Sequence, residues 1–196
     1  MSLTIRKGTP GDLDALEQLY GEVCDHLAAN INYTGWKRDI YPVRQDAEAG
    51  LQEGGLFLAE ENGETAGSFI LSHKQEPAYD GVKWQAELEK QDVLTVYTFA
   101  VSPRLRGRGT GRAMLEYASR YGAEHGVRAL RLDVYEGNLP AIRLYESAGF
   151  QYVDTVSLGL EDIGLDWFRL YEKLLETPVG EHAAAVSAGK TESHDF

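Results

Sequence analysis

The sequence predicts an α/β chain, a mixed sheet with helices packed against it, on three observations. Short apolar runs of strand length alternate with stretches whose apolar residues recur every three or four positions. Asn62-Gly63 stands between two such runs, the mark of a two-residue hairpin turn. The run LTVYTFAV passes into a loop holding Gly107, Gly109 and Gly111 and then into a helical pattern, a strand–loop–helix junction.

Taken in order, Leu3 to Arg6 reads as a short strand, and Thr9 or Asp12 caps a helix with Leu13, Leu16, Leu19, Val23 and Leu27 on one face. Residues 30–42 form an aromatic loop with Tyr33, Trp36 and Tyr41. Tyr41-Pro42 leads into a second helix over about 43–53, where Val43, Ala47 and Leu51 keep helical spacing. Gly54-Gly55 ends it, and residues 56–75 read as two antiparallel strands. A polar segment, 76–91, carries Pro77, Tyr79, Gly81 and Trp84 and precedes a strand over about 92–101. A helix over 109–125 is expected to bury Met114, Ala118 and Tyr121, and a strand over 128–134 alternates Leu130, Leu132 and Val134. A helix over 138–148 and strands near 150–157 and 166–173 complete the pattern. Residues 1–176 are expected to form a single domain. From Thr177 periodicity and aromatic content fall away except at Phe196, so 177–196 reads as a mobile tail.

Composition narrows the function classes. The chain has 196 residues, 43% of them apolar and 26% charged, enough for a substantial core. No apolar run reaches membrane-spanning length and the start lacks the stretch of a signal peptide, so the expected address is cytoplasmic, with no membrane partner. Cys24 is the only cysteine, so an internal disulfide is ruled out, and the five histidines show no paired ligand spacing; no metal is expected. A net charge of -12 argues against nucleic acid, whose binding needs clustered cations. It mildly favours a cationic substrate, while solubility explains the same charge equally well.

The glycine loop carries the chemistry. Its glycines let the backbone turn tightly and approach a ligand, and the helix behind offers unpaired N–H groups and a positive dipole end. Arg104, Arg106, Arg108 and Arg112 concentrate cations there in an acidic chain, as an anion site such as phosphate requires. A Walker loop needs a Lys that is absent. A dinucleotide fingerprint fails on spacing, because the third position falls on Arg112 or Met114, although Asp133 stands near the distance expected of a ribose-binding acid.

The pattern that fits is Arg106-x-x-Gly109-x-Gly111, which resembles the coenzyme A loop of the GCN5-related N-acetyltransferase (GNAT) superfamily. A second segment, EGNLPAIRLYESAGFQYV, is similar to that family's signature through Asn138, Ala141, Leu144, Tyr145, Glu146, Gly149 and Phe150. Its parts also make local sense: Asn138 suits an N-cap, Pro140 a first turn and Gly149 a helix stop. Ile142, Tyr145 and Ala148 recur every three residues, so packing alone would make Tyr145 a core aromatic. The resemblance is close over residues 92–156 and covers the remainder by pattern.

The resemblance implies a mostly antiparallel sheet of about seven strands flanked by about four helices, with splayed fourth and fifth strands. It implies acetyl-CoA as co-substrate. Phe99, Ala100 and Val101 would present backbone to pantetheine and the acetyl carbonyl, and Arg106, Gly107, Arg108, Gly109, Thr110, Gly111 and Arg112 would hold the pyrophosphate, chiefly through main-chain N–H groups. Asn138 and Ala141 complete the coenzyme contacts. Tyr145 would protonate the leaving thiolate as an amine attacks the thioester. Some relatives carry a basic glutamate on the fourth strand where this chain has Tyr97 and Thr98, which leaves Glu87, Asp92, His73 and Tyr97 as alternatives. Tyr33, Trp36, Trp84 and Tyr97 are candidates for the acceptor mouth, with loop pinning as the competing role. The acceptor is a small-molecule or peptide amine, the alternative being a non-catalytic acyl-CoA sensor. Dimers are common among similar proteins, so a homodimer stays open.

Overall fold

The computed structural model describes residues 3–176; the tail expected over 177–196 lies outside them. The strands are β1 (Leu3–Lys7), β2 (Leu56–Glu61), β3 (Glu64–Ser72), β4 (Val93–Val101), β5 (Ala129–Tyr135), β6 (Gln151–Val156) and β7 (Phe168–Leu174). The helices are α1 (Leu13–Ala28), α2 (Arg44–Gln52), α3 (Thr110–Glu124) and α4 (Leu139–Ser147). One seven-stranded sheet runs in the order β1-β2-β3-β4-β5-β7-β6. Every neighbouring pair is antiparallel except β4 and β5.

Successive strand residues point to opposite faces, so β2, β3 and β4 each feed two cores. Phe57, Phe69, Leu130 and Leu132 pack with Met114 and Leu115 of α3 and Ile142 of α4. Leu58 and Ile70 pack on the other face with Leu16 and Tyr20 of α1 and Ala47 of α2. The hairpin turn forms as expected, with Asn62 (φ 53°) and Gly63 (φ 82°) both left-handed. Asn138 caps α4 by accepting the Ala141 N–H at 3.2 Å, and Gly149 (φ 88°) ends that helix region.

Three expectations shift. Asp12 does not cap α1: its carboxylate accepts from both Nη atoms of Arg6 and from the Thr9 N–H, within a short 3-10 turn that precedes the helix. Tyr121 is only partly buried, because it packs edge-on to Phe57 while its other flank stacks on His125 at 3.9 Å. Trp84, a candidate for the acceptor mouth with loop pinning as the competing role, lies over the Arg131 guanidinium, 3.9 Å from ring centroid to Cζ.

That last contact belongs to the anchor of segment 75–92. Arg131 and Glu172 are both buried, and Arg131 Nε donates to Glu172 at 2.9 Å. Glu172 also accepts the Gln85 N–H at 2.9 Å, and Arg131 Nη1 reaches Gln75 at 3.1 Å. The pair fastens a polar segment onto the sheet and so holds Tyr79 beneath β5. Removing one partner strands a buried charge: Glu172→Ala should cost on the order of 3–5 kcal/mol in urea unfolding, whereas Arg131→Met with Glu172→Leu should recover most of that loss. Equal losses in the single and double variants would show that the ion pair is not the anchor.

Candidate active site

Pairing between β4 and β5 stops early. Only Val93, Leu94 and Thr95 face Ala129, Leu130 and Arg131, after which the two strands diverge. A cavity of about 810 Å³ occupies the gap and runs from the glycine loop to the loops after α1 and β6. Opposite the gap, β4 carries one extra residue against β3: Ser68 faces Ala100 but Ile70 faces Tyr97. This bulge places Thr98 at φ 47°, unusual for a β-branched residue, and the Tyr41 hydroxyl holds the Thr98 hydroxyl at 2.9 Å.

At one end lies the glycine loop. Gly107 (φ 77°) and Gly109 (φ 84°) need the left-handed region, and a Cβ at either would meet nothing within 4 Å, so the demand is conformational. At Gly111 a Cβ would come 3.0 Å from Leu144 Cδ2, so the demand there is close packing. No side chain caps α3, and its first helical bond runs from Ala113 N–H to the Gly109 carbonyl at 3.0 Å. The N–H groups of Thr110, Gly111 and Arg112 are thus free of helical partners, and all three residues line the cavity.

The arginines are largely occupied. Arg104 lies 3.3 Å from Glu22, Arg108 3.5 Å from buried Glu61 and Arg112 2.8 Å from Glu116, while Arg106 meets His26 at 2.6 Å. Main-chain amides at a helix N-terminus therefore make the better anion ligands here. This cradle suits a diphosphate: glycines admit close approach, the amides converge, and Asn138 and Ala141 line the wall beside it.

At the centre, Tyr145 and Asp133 both line the cavity. Tyr145 is 8% exposed, edge-on to Phe99 at 6.1 Å and to Phe150 at 6.1 Å, so it packs as the three-residue spacing implies while reaching the gap. Burial pushes its phenol well above the ordinary value, and the Asp133 charge adds to that. Asp133 itself is pushed up to about 6 by burial, against the opposing hydrogen bond from the Tyr79 hydroxyl at 2.7 Å. The Asp133 charge also pushes Tyr41, Tyr79 and Tyr97 upward, as does that of Glu76.

The sequence-derived candidates fall out as follows. Phe99, Ala100, Val101, Arg106, Gly107, Gly109, Thr110, Gly111, Arg112, Asn138, Ala141 and Tyr145 line the cavity, as do Tyr33, Trp36 and Tyr97. The structure does not bring Arg108 or Trp84 there: Arg108 turns back to Glu61, and Trp84 covers Arg131. Among the alternative bases, His73 and Glu87 are exposed, and neither these nor Asp92 reaches the cavity. Of the four, Tyr97 lines the cavity, and so does Asp133, a carboxylate on β5. Its one sequence signal is that Arg131 and Asp133 put two charges on the strand face opposite Leu130, Leu132 and Val134, where each needs a partner.

Comparison with known proteins agrees with this geometry. The profile of the acetyltransferase (GNAT) family matches residues 21–150. An uncharacterized N-acetyltransferase of Methanocaldococcus jannaschii is 28% identical over 177 residues, 87% of this chain and 67% of that protein. A streptothricin acetyltransferase of Streptomyces lavendulae is 26% identical, covering 93% and 92%. A mycothiol acetyltransferase of Acidothermus cellulolyticus is 33% identical over 57% of this chain, which spans 34% of that longer relative. A GNAT acetyltransferase structure from Streptococcus agalactiae superposes with a TM-score of 0.74 at 24% identity, covering 89% of this chain and 96% of that one. A Salmonella typhimurium acetyltransferase solved with acetyl-CoA gives 0.63 at 20% identity, covering 96% and 100%. The chain belongs to the acetyltransferase (GNAT) family, whose members draw the acyl group from acyl-CoA.

Proposed function

We propose that this chain transfers the acetyl group of acetyl-CoA to a primary amine by direct attack within a ternary complex. One observation carries the reading: a buried phenol and a half-buried carboxylate share the wall of the gap between β4 and β5, with an uncapped helix N-terminus at the end of the same cavity.

The amides of Thr110, Gly111 and Arg112 bind the diphosphate, and β4 lies along the pantetheine arm. At the bulge, the β4 backbone offers an N–H to the carbonyl oxygen, on which negative charge builds as the amine adds. Asp133 has the properties of a base. A carboxyl at about 6 is ionised at neutral pH, yet binds a proton more readily than an ordinary Asp. It takes one proton from the bound ammonium, which frees the nitrogen lone pair for attack, and the second N–H proton passes to water as the C–N bond forms. Tyr145 has those of an acid, since burial keeps its phenol protonated. It gives that proton to sulfur as the C–S bond breaks, and water restores it. The sum is an ammonium and a thioester giving an amide, a thiol and one released proton. Environments that set two titratable groups to opposite tasks are a general sign of acid and base assignments.

Three outcomes test this. Tyr145→Phe should lower turnover by about 10²-fold to 10⁴-fold at near-normal acetyl-CoA affinity in calorimetry; unchanged turnover would make Tyr145 a packing residue only. In the loop, Gly109→Val should weaken acetyl-CoA binding far more than Arg106→Ala, because it forces an unfavourable φ and displaces the amides; equal tolerance would discard main-chain recognition. Asp133 gives a pH signature in stability. Its folded-state value of about 6 lies above the ordinary 3.8, so the folded protein holds that proton more tightly. The resulting stabilisation is complete below about pH 4 and is lost as pH rises through about 6. Urea melts should therefore show wild type losing about 3 kcal/mol relative to Asp133→Asn between pH 4 and pH 7, and a difference that stays flat would show Asp133 to be an ordinary carboxylate.

A further inference from the structure

We infer that the acceptor is a monoamine carried on an aromatic or branched apolar body, with its single ammonium seated at Asp133. This rests on the transferase reading above and narrows its substrate class.

The half of the cavity beyond β4 and β5 is walled by two loops, residues 29–43 after α1 and residues 157–167 after β6. Its surface is apolar and aromatic: Trp36 and Tyr41 from the first loop, Leu160 and Ile163 from the second. Ile40 and Ile163 stand at the rim with 70% and 51% of their surface exposed. Large apolar side chains exposed at a cavity mouth, on a chain of net charge -12, mark a surface that meets an apolar ligand.

Charge sets the number of ammonium groups. Among the described residues, this half of the cavity is lined by one carboxylate, Asp133, and one cation, Lys37. Glu76, which also acts on Asp133, does not line the cavity, nor do Asp39 of the first loop or Glu161, Asp162 and Asp166 of the second. An ammonium leaving water needs an ionised partner, and Asp133 supplies one. A second ammonium on the same molecule would face isoleucine, leucine and a lysine. Polyamines and aminoglycosides are therefore poor fits, whereas an arylethylamine or an apolar amino-acid amide places its body on the wall and its nitrogen at the carboxylate.

The wall is also preformed. A Cβ at Gly35 (φ 69°) would lie 2.6 Å from Leu165 Cδ1 and 3.3 Å from Ile163 Cδ1, so the two loops are in direct contact there. Lys37 bridges to Tyr41 and Leu160 to Leu165, and Trp36 meets Tyr41 edge-on at 5.7 Å. The Tyr41 hydroxyl then ties the first loop to Thr98 on β4. Little ordering is left for a ligand to impose, which favours selection by shape.

Thiol release should be measured with 2-phenylethylamine, tryptamine, leucinamide, glycinamide, spermidine and kanamycin, beside calorimetric acetyl-CoA binding. The aromatic amines and leucinamide should exceed glycinamide and spermidine in kcat/KM by about tenfold or more. Ile40→Ser with Ile163→Ser should shrink that ratio at unchanged acetyl-CoA affinity. Acetylation in which spermidine or kanamycin equals or surpasses the apolar amines, or a ratio unmoved in the double variant, overturns the substrate class and leaves the transferase reading intact. Acetyl-CoA binding without thiol release from any of the six overturns both.

Discussion

The structure turns on a backbone constraint: β4 and β5 cannot remain paired beyond Thr95 and Arg131. Parallel neighbours ordinarily continue their ladder, because main-chain groups withdrawn from water need partners. Here each strand is fastened along its outer edge, β4 to β3 and β5 to β7 over all of Ala129 to Tyr135. Neither can swing across to close the gap without giving up a ladder it already has. Phe99 and Tyr145 line the opening and meet edge-on at 6.1 Å. The extra residue in β4 adds local twist at the same level. The sheet is thus rigid on both flanks and open at its centre, and main chain that would have served the ladder can face a bound thioester.

Several residues serve packing and chemistry together. Tyr145 belongs to the same buried face of α4 as Ile142 and Ala148, so the helix that completes the core also fixes the phenol beside the gap. Asp133 is more costly. A half-buried carboxylate among tyrosines is held in an environment that disfavours its charge, and the Tyr79 hydrogen bond only partly offsets this. The fold sustains that strain through the Arg131–Glu172 pair two residues away, which clamps the segment bearing Tyr79. Stability spent next to a reactive group and recovered in an adjacent network is a common pattern at functional sites.

How much of this is legible in the sequence depends on the range of each cause. Asn62-Gly63, the Asn138 cap and the left-handed Gly109 and Gly149 are readable because the physics is local to a turn or a helix end. The alternation in β5 likewise announces which side faces the core. Trp84, Arg108 and Asp133 are not readable, because each takes its meaning from a distant partner. Tyr79 and Asp133 are 54 residues apart, and Arg108 and Glu61 are 47 apart. An aromatic in a polar loop looks the same whether it lines a cavity or covers an arginine, and only the fold of segment 75–92 decides. The base we propose is obscured for the same reason: the expected position on β4 holds Tyr97 and Thr98, and the cavity carboxylate, Asp133, stands on the facing strand.

The arginine loop shows how composition alone misleads about mechanism. Four cations in an acidic chain suggest charge attraction, yet Arg104, Arg108 and Arg112 each lie beside a glutamate and Arg106 is engaged by His26. The field that remains near the loop comes largely from the α3 N-terminus, a set of dipoles whose influence falls off within a turn. On the proposed reading, such a site would give little long-range steering and would depend on contact geometry, discriminating by the shape of a diphosphate rather than by negative charge in general. Free phosphate or nucleic acid, equally anionic but unable to follow the cavity into the β4–β5 gap, gains only the first of these contacts. On that reading the selectivity of the loop would come from the gap that lies beyond it, which returns the burden of recognition to the interrupted pairing of the two central strands.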